Sequence, residues 1–244
     1  MKKISLRTLF FVPLFVLITI VMSIIALVIT LFDKTGNTFR KFSGVWSWIG
    51  LWLSGVKLRI IGEENYDPNA SYVIVSNHAS MYDILAVLAG IKNNLRIMAK
   101  IELAKVPLWG WAVKRGDFLF IRRGSSREAL QSLMEAKQKL DEGKSAYVFA
   151  DGTRSPDGSI QPFKRGAFTI AVKSQKPILP ITILGSHKIM PRDTLKINGG
   201  TITMIIDKPI FPNGKTDEQL LTETHQVILA NYNKYAHSLN ETER

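Results

Sequence analysis

The 244-residue chain is 46% hydrophobic and 21% charged, lacks cysteine, and carries 32 basic against 20 acidic side chains, a net charge of +12. That balance suits one well-buried core with an appendage, and it excludes a disordered chain, a collagen-like repeat and a disulfide scaffold. Without a thiol there is no cysteine nucleophile, no Cys-bearing zinc site and no iron–sulfur cluster.

The chain opens with Leu9 to Phe32, 24 residues without a charge. As a helix they reach roughly 36 Å, against a hydrocarbon core of about 30 Å. The run exceeds the apolar region of a signal peptide and no small-x-small cleavage site follows, so it reads as an uncleaved membrane anchor. Phe42 to Val56 adds 15 uncharged residues with Trp46, Trp48 and Trp52. That segment is too short to cross easily and reads as an interfacial or re-entrant helix, or as a tryptophan-rich core helix. Lys2, Lys3 and Arg7 precede the first helix while Lys34, Arg40 and Lys41 follow it, so the positive-inside rule gives no orientation. Residues 1–57 are therefore read as the anchor, with a transmembrane helix about 9–32 and a second helix about 42–56, and residues 58–244 as one domain.

Short β-branched runs then alternate with helical stretches, which predicts an α/β domain. Strands are expected at Lys57–Ile61, Tyr72–Ser76, Leu95–Ala99, Phe118–Ile121, Ala146–Phe149 and Ile178–Leu184. A hairpin is expected to join Leu195–Asn198 to Thr201–Ile206 through Asn198-Gly199-Gly200, residues that tolerate positive φ. Helices are expected at Tyr82–Ala89, Ser126–Glu142 and Thr216–His237. Between Lys92 and Lys196 there are 20 basic and 9 acidic residues. Such a focus of positive charge attracts phosphates, and beside an anchor lipid is the favoured source.

The dinucleotide fingerprint, the P-loop, the nucleophilic-serine elbow and the zinc-protease helix motif are all missing from the sequence. What remains begins after the second strand, where Asn77-His78-Ala79-Ser80-Met81-Tyr82-Asp83 runs into the apolar helix Ile84-Leu85-Ala86-Val87-Leu88. A strand's carboxyl end meeting a helix start is where open α/β sheets place ligands. A His five residues before an Asp can set the carboxylate on one imidazole nitrogen and leave the other free as a base toward a hydroxyl. A helix capped by Asn77 or Ser80, with a satisfied loop histidine, fits the same residues. His187, His225 and His237 have no such partner and read as surface or packing residues.

Three further blocks follow in order: Phe120-Ile121-Arg122-Arg123, Phe149-Ala150-Asp151-Gly152-Thr153-Arg154-Ser155 and Lys176-Pro177-Ile178-Leu179-Pro180. Pro162-Phe163-Lys164-Arg165-Gly166-Ala167 comes after the third block of the set. Together they resemble the four ordered blocks of the glycerolipid acyltransferase family, bacterial 1-acylglycerol-3-phosphate acyltransferases above all, over about residues 58–210. Two positions depart from that pattern. The third block usually reads F-P-E-G-T-R, whereas Ala150 and Asp151 stand here, which leaves a carboxylate one methylene shorter. In the second block Arg123 holds the basic position and Arg122 replaces a residue that is often acidic.

The resemblance implies a single mixed-sheet α/β acyltransferase domain flanked by helices, with an N-terminal helical membrane anchor. It implies transfer of a fatty acyl group from acyl-CoA or acyl-carrier protein to the 2-hydroxyl of lysophosphatidic acid, giving phosphatidic acid. It also implies an enzyme of the bacterial inner membrane, its catalytic domain facing the cytoplasm, needing no metal and no bound cofactor. In that reading His78 takes the hydroxyl proton and Asp83 orients it. Arg123, Asp151, Gly152, Thr153, Arg154 and Lys164 hold the acceptor, and Pro180 walls the acyl donor; read without the resemblance, Lys164 fits a solvated face equally well, and Pro177 and Pro180 shape the entry to a strand. With no cysteine and no serine elbow, direct attack by the acceptor is simpler than an acyl-enzyme. Another lysophospholipid, or glycerol 3-phosphate, could replace the acceptor, and a non-catalytic module binding anionic lipid stands as the rival from another class. No aromatic-interleaved basic strand or recognition helix points to nucleic acid.

Overall fold

The computed structural model describes residues 6–121 and 126–241. Among them, seven strands form one mixed sheet: β1 (Val56–Ile61), β2 (Val73–Ser76), β3 (Leu95–Lys100), β4 (Leu119–Ile121), β5 (Ser145–Phe149), β6 (Ile178–Leu184) and β7 (Gly200–Ile206). Their order is β1-β7-β6-β2-β5-β3-β4, and every pairing is parallel except β6 with β7. All four residues of β2 and all seven of β6 are buried. Parallel strands covered on both faces need such continuous apolar runs.

The helices are α1 (Leu6–Phe32), α2 (Asn37–Leu53), α3 (Tyr82–Gly90), α4 (Trp109–Arg115), α5 (Ser126–Asp141), α6 (Gly166–Ser174), α7 (Ser186–Ile189) and α8 (Asp217–Glu241). They divide between the two faces of the sheet. On one, Leu85, Ala86 and Leu88 of α3 meet Ile74, Leu179 and Met204. On the other, Leu140, Phe168 and Ile228 meet Val73, Val75 and Ile178. Residues 73, 74 and 75 thus point to alternate faces, as the period of two requires.

The six strands expected before the hairpin and the three expected helices all form. The hairpin does not. Leu195–Asn198 stays outside the sheet, with Ile197 N donating to Thr8 Oγ1 at 3.0 Å and Asn198 N to Ile189 O at 2.8 Å. The reason is that β7 has no free edge: Lys57 of β1 pairs with Thr201 on one side, and Ile181 of β6 with Ile206 on the other. Helices α4, α6 and α7 are additional to those expected.

The second helix starts earlier than the sequence suggested and ends earlier, spanning Asn37–Leu53. Asp33 begins it, accepting Gly36 N at 3.0 Å and Phe39 N at 2.7 Å. Gly36 has φ 71, and a Cβ there would lie 2.3 Å from Arg96 Nη2. Arg96 is itself fully buried and donates to Thr35 O at 3.1 Å, which clamps the α1–α2 turn to the sheet. Arg40, also buried, donates to Leu88 O at 3.0 Å and to Ile91 O, closing the carboxyl end of α3.

Helix α1 touches the rest of the protein along its length. Thr8 accepts from Ile197, Thr19 Oγ1 accepts Trp46 Nε1 at 3.0 Å, and Ala26 packs with Phe39, Ala112 and Val113. Only 11% of its most apolar 18-residue window is buried, so it is no core helix. Trp46 packs inward, stacked on Phe15 at 5.3 Å, whereas Trp48 and Trp52 are exposed and stack on each other at 6.4 Å.

Candidate active site

Two parallel strands, β2 and β5, lie side by side in register, Ser76 opposite Phe149, so the loops that follow them leave the same end of the sheet together. Ala150 N donates to Ser76 O at 3.0 Å and Ser155 N to His78 O at 2.8 Å, which extends the pairing beyond the strands. On the other flank Asn77 Nδ2 donates to Ile183 O at 2.9 Å and Asn77 Oδ1 accepts Ile183 N at 2.8 Å. Asn77 is therefore a side-chain rung between β2 and β6 and does not cap the helix. The first and third sequence blocks meet because their strands are neighbours.

The loop after β2 is gathered by one oxygen. Asp83 Oδ2 accepts His78 Nδ1 at 2.8 Å, Ala79 N at 2.7 Å and Ser80 N at 2.8 Å. Asp83 is fully buried in the first turn of α3, where the helix dipole favours a carboxylate. An ionised carboxylate only accepts, so the pair selects the tautomer with its proton on Nδ1, and in a neutral imidazole that leaves the lone pair on Nε2. The His78 side chain is 14% exposed and its ring lies flat on Phe149, centroids 4.0 Å apart at 20°. An imidazole so held can accept a proton at Nε2 from a hydroxyl brought to it.

Asp151 faces inward. Its Oδ2 accepts His78 N at 2.9 Å, and it is 4% exposed. Burial opposes its ionisation and pushes its pKa up to about 6, partly offset by the hydrogen bond from His78 N. The carboxylate expected to contact the acceptor thus grips the backbone of the histidine loop.

Gly152 turns the chain at φ 69, and a Cβ on it would lie 3.0 Å from Lys164 Nζ, so the Lys164 side chain crosses this turn. Thr153 is exposed and the Arg154 side chain is 26% exposed. Arg123 lies outside the described residues. Arg165 is taken by Asp217, at 2.8 Å. Pro180 is buried within β6 opposite Val75, and its carbonyl accepts Asp207 N at 3.0 Å. It forms part of the sheet and does not line the apolar cavity described next.

That cavity, of about 80 Å³, lies between α1, α2, α3, α4 and β3, with Ala26, Trp46, Ile84, Leu88, Ala99 and Ala112 on its walls. It begins at Ile84, the residue after Asp83. Among the described residues no three His, Asp or Glu side chains converge as a metal-ligand set. The basic excess of the middle of the chain is partly spent inside the fold. Lys139 and Lys144 lie 2.9 and 2.5 Å from Asp117, and Arg96 is 3.8 Å from it.

Sequence reasoning missed Phe149 as the plate under His78, although it is the aromatic residue that ends a strand and opens the third block. It also missed Arg192, whose Nη1 donates to Arg154 O at 2.9 Å. No local motif marks that residue, because the contact depends on how the chain after α7 returns.

Comparison with known proteins bears on the family and the fold. The acyltransferase family model matches residues 57–184, just over half of the chain. The chloroplastic 1-acyl-sn-glycerol-3-phosphate acyltransferase BAT2 of Brassica napus is 34% identical over 87% of this chain and 59% of its own length. The human 1-acyl-sn-glycerol-3-phosphate acyltransferase alpha is 30% identical over 69% of this chain and 60% of its own. The chain thus spans rather more than half the length of these relatives. The crystal structure of the 1-acyl-sn-glycerophosphate acyltransferase PlsC of Thermotoga maritima superposes with a TM-score of 0.83 at 26% identity, covering 95% of each chain. The blocks, the paired strands that bring them together and the shared fold all lead to one assignment: the chain belongs to the acyltransferase family.

Proposed function

We propose that this protein transfers a fatty acyl group from a thioester, acyl-CoA or acyl-carrier protein, to the 2-hydroxyl of 1-acylglycerol 3-phosphate, giving phosphatidic acid at a membrane surface. The observation that carries the reading is the His78–Asp83 pair, 2.8 Å apart at the carboxyl end of β2, with Arg154 on the adjoining loop. The hydroxyl gives its proton to His78 Nε2 as its oxygen bonds to the thioester carbon. The tetrahedral intermediate then expels the thiolate, which takes up the proton, so no acyl-enzyme forms. A base in this position contributes roughly 10²- to 10⁴-fold, and holding two substrates together supplies much of the rest.

Arg154 and Lys164 contact the acceptor's phosphate, and Gly152 and Thr153 shape the turn that presents them. The apolar cavity beside Ile84 takes an acyl chain, whose methylenes each cost about 0.8 kcal/mol in water. Exposed apolar residues on α1 and the Trp48–Trp52 pair on α2 hold that cavity at the bilayer. The relatives named above are acyltransferases of the same acceptor.

The test is release of free thiol by the purified protein given 1-acylglycerol 3-phosphate and either thioester. No release across several chain lengths with both donors would remove this acceptor, and glycerol 3-phosphate and other lysophospholipids tested with the same labelled donor would identify its replacement. Retention of most of the rate by His78→Ala would remove the base.

A further inference from the structure

We propose that Arg192 is a second phosphate-binding residue of the acceptor site, and that the carboxylate of Asp193 stands where the phosphate binds and must give way to it. This rests on the acceptor being a phosphate ester, as argued above. After β6 the chain turns at Gly185, forms α7 and comes back across the site. Ser80 Oγ donates to Met190 O at 2.9 Å, which fastens this return to the histidine loop. Arg192 Nη1 donates to the carbonyl of Arg154 at 2.9 Å, so one guanidinium is fixed to the backbone that bears the other.

Between them lies the carboxylate of Asp193. Its Oδ1 is 3.6 Å from Arg154 Nη2 and its Oδ2 is 3.2 Å from Arg192 Nε. Two oxygens of one anion addressed by two guanidinium groups is the arrangement a phosphate adopts between arginines. The Asp193 side chain is 73% exposed, so these ion pairs are weak and readily exchanged. Its backbone has φ 60, a region glycine enters freely and aspartate tolerates, so the carboxylate can be removed without forcing the turn.

The two residues therefore act in opposite directions. Arg192 adds attraction that grows with the ligand's charge, so it favours a phosphomonoester, near −2, over a phosphodiester at −1. Asp193 must leave before either ligand binds, so it weakens both by one common factor.

The experiment measures KM and kcat of the full-length protein for lysophosphatidate and lysophosphatidylglycerol with one acyl thioester. Arg192→Ala is expected to raise KM for lysophosphatidate about tenfold and for the diester about threefold, with kcat little changed. Arg192→Lys should recover part of the loss. Asp193→Asn and Asp193→Gly should each lower both KM values about two- to fivefold and leave their ratio as it was. An unchanged KM in Arg192→Ala, or a raised KM in both Asp193 variants, overturns the proposal. If the wild type acylates neither acceptor, the proposed function has failed. The inference is then read from binding of radiolabelled short-chain lysophosphatidate to the solubilised protein: weaker in Arg192→Ala and tighter in Asp193→Asn supports it, and equal binding overturns it.

Discussion

Replacing Asp83 by Asn separates the charge of the site from its geometry. Three donors converge on Oδ2, whereas Oδ1 is buried with no hydrogen-bond partner among the described residues. An asparagine can therefore put its carbonyl oxygen where Oδ2 was and keep His78, Ala79 and Ser80 in place, its amide taking the unpartnered position. What disappears is the negative charge beside the imidazolium that the proposed proton transfer forms. With Nδ1 and Oδ2 2.8 Å apart, the charge centres are about 4 Å apart, worth about 4 kcal/mol at an effective dielectric near 20. Each 1.4 kcal/mol is tenfold, so the ceiling is about 10³, and the access of water to His78 lowers the expectation to about 10²–10³ in kcat. Asp83→Ala removes the geometry as well and should be slower again. Initial-rate thiol release, with circular dichroism to establish the fold, measures both. An Asp83→Asn rate within threefold of wild type would show that the carboxylate is only a loop clasp.

Asp151, with its pKa raised to about 6 from an ordinary 3.8 by burial, contributes stability that is complete below about pH 4 and lost as pH rises through 6. Asp151→Asn should accordingly gain on wild type from pH 4 to pH 7, by on the order of 3 kcal/mol at most, and a pH-independent difference in Tm would contradict the assignment. Phe149→Leu removes the plate under the His78 ring and should lower kcat about tenfold with a small change in Tm, by rate assay and thermal melt. Arg40→Met leaves the carbonyls of Leu88 and Ile91 without their donor and should cost about 2–4 kcal/mol, seen as a lower midpoint in denaturant. Ala112→Phe fills the apolar cavity from α4 and should move the preferred acyl chain toward shorter lengths in a competition of thioesters.

The sequence made local chemistry legible and left the long-range pairing hidden. The His78 loop, the Asp151 turn and α3 could be recognised because each is written in adjacent residues. That the two loops meet depends on β2 lying against β5, a register between residues 73–76 and 146–149 that no local signal carries. The misread hairpin has the same origin. Asn198-Gly199-Gly200 is a fair turn signal, yet the edges of β7 are filled by β1 and β6, strands supplied from elsewhere in the chain. Helix α4 is only two turns long, and α6 opens on a glycine, a poor helix former, directly after Lys164 and Arg165.

Charge counting was informative in sign and blind to direction. The positive middle of the chain reads as a phosphate-attracting surface, but Arg96 faces wholly inward and Lys139 and Lys144 answer Asp117. What the buried arginines Arg96 and Arg40 do is mechanical. Arg96 holds the α1–α2 turn against the sheet, and Arg40 holds α2 against the end of α3, the helix whose first turn carries Asp83. The apolar helices and His78 are thereby tied to the two ends of one nine-residue helix. The cavity wall passes along that helix from Leu88 to Ile84, the residue after the buried carboxylate, so under the proposed function an acyl chain held among α1, α2 and α4 lies along the same helix that orients His78.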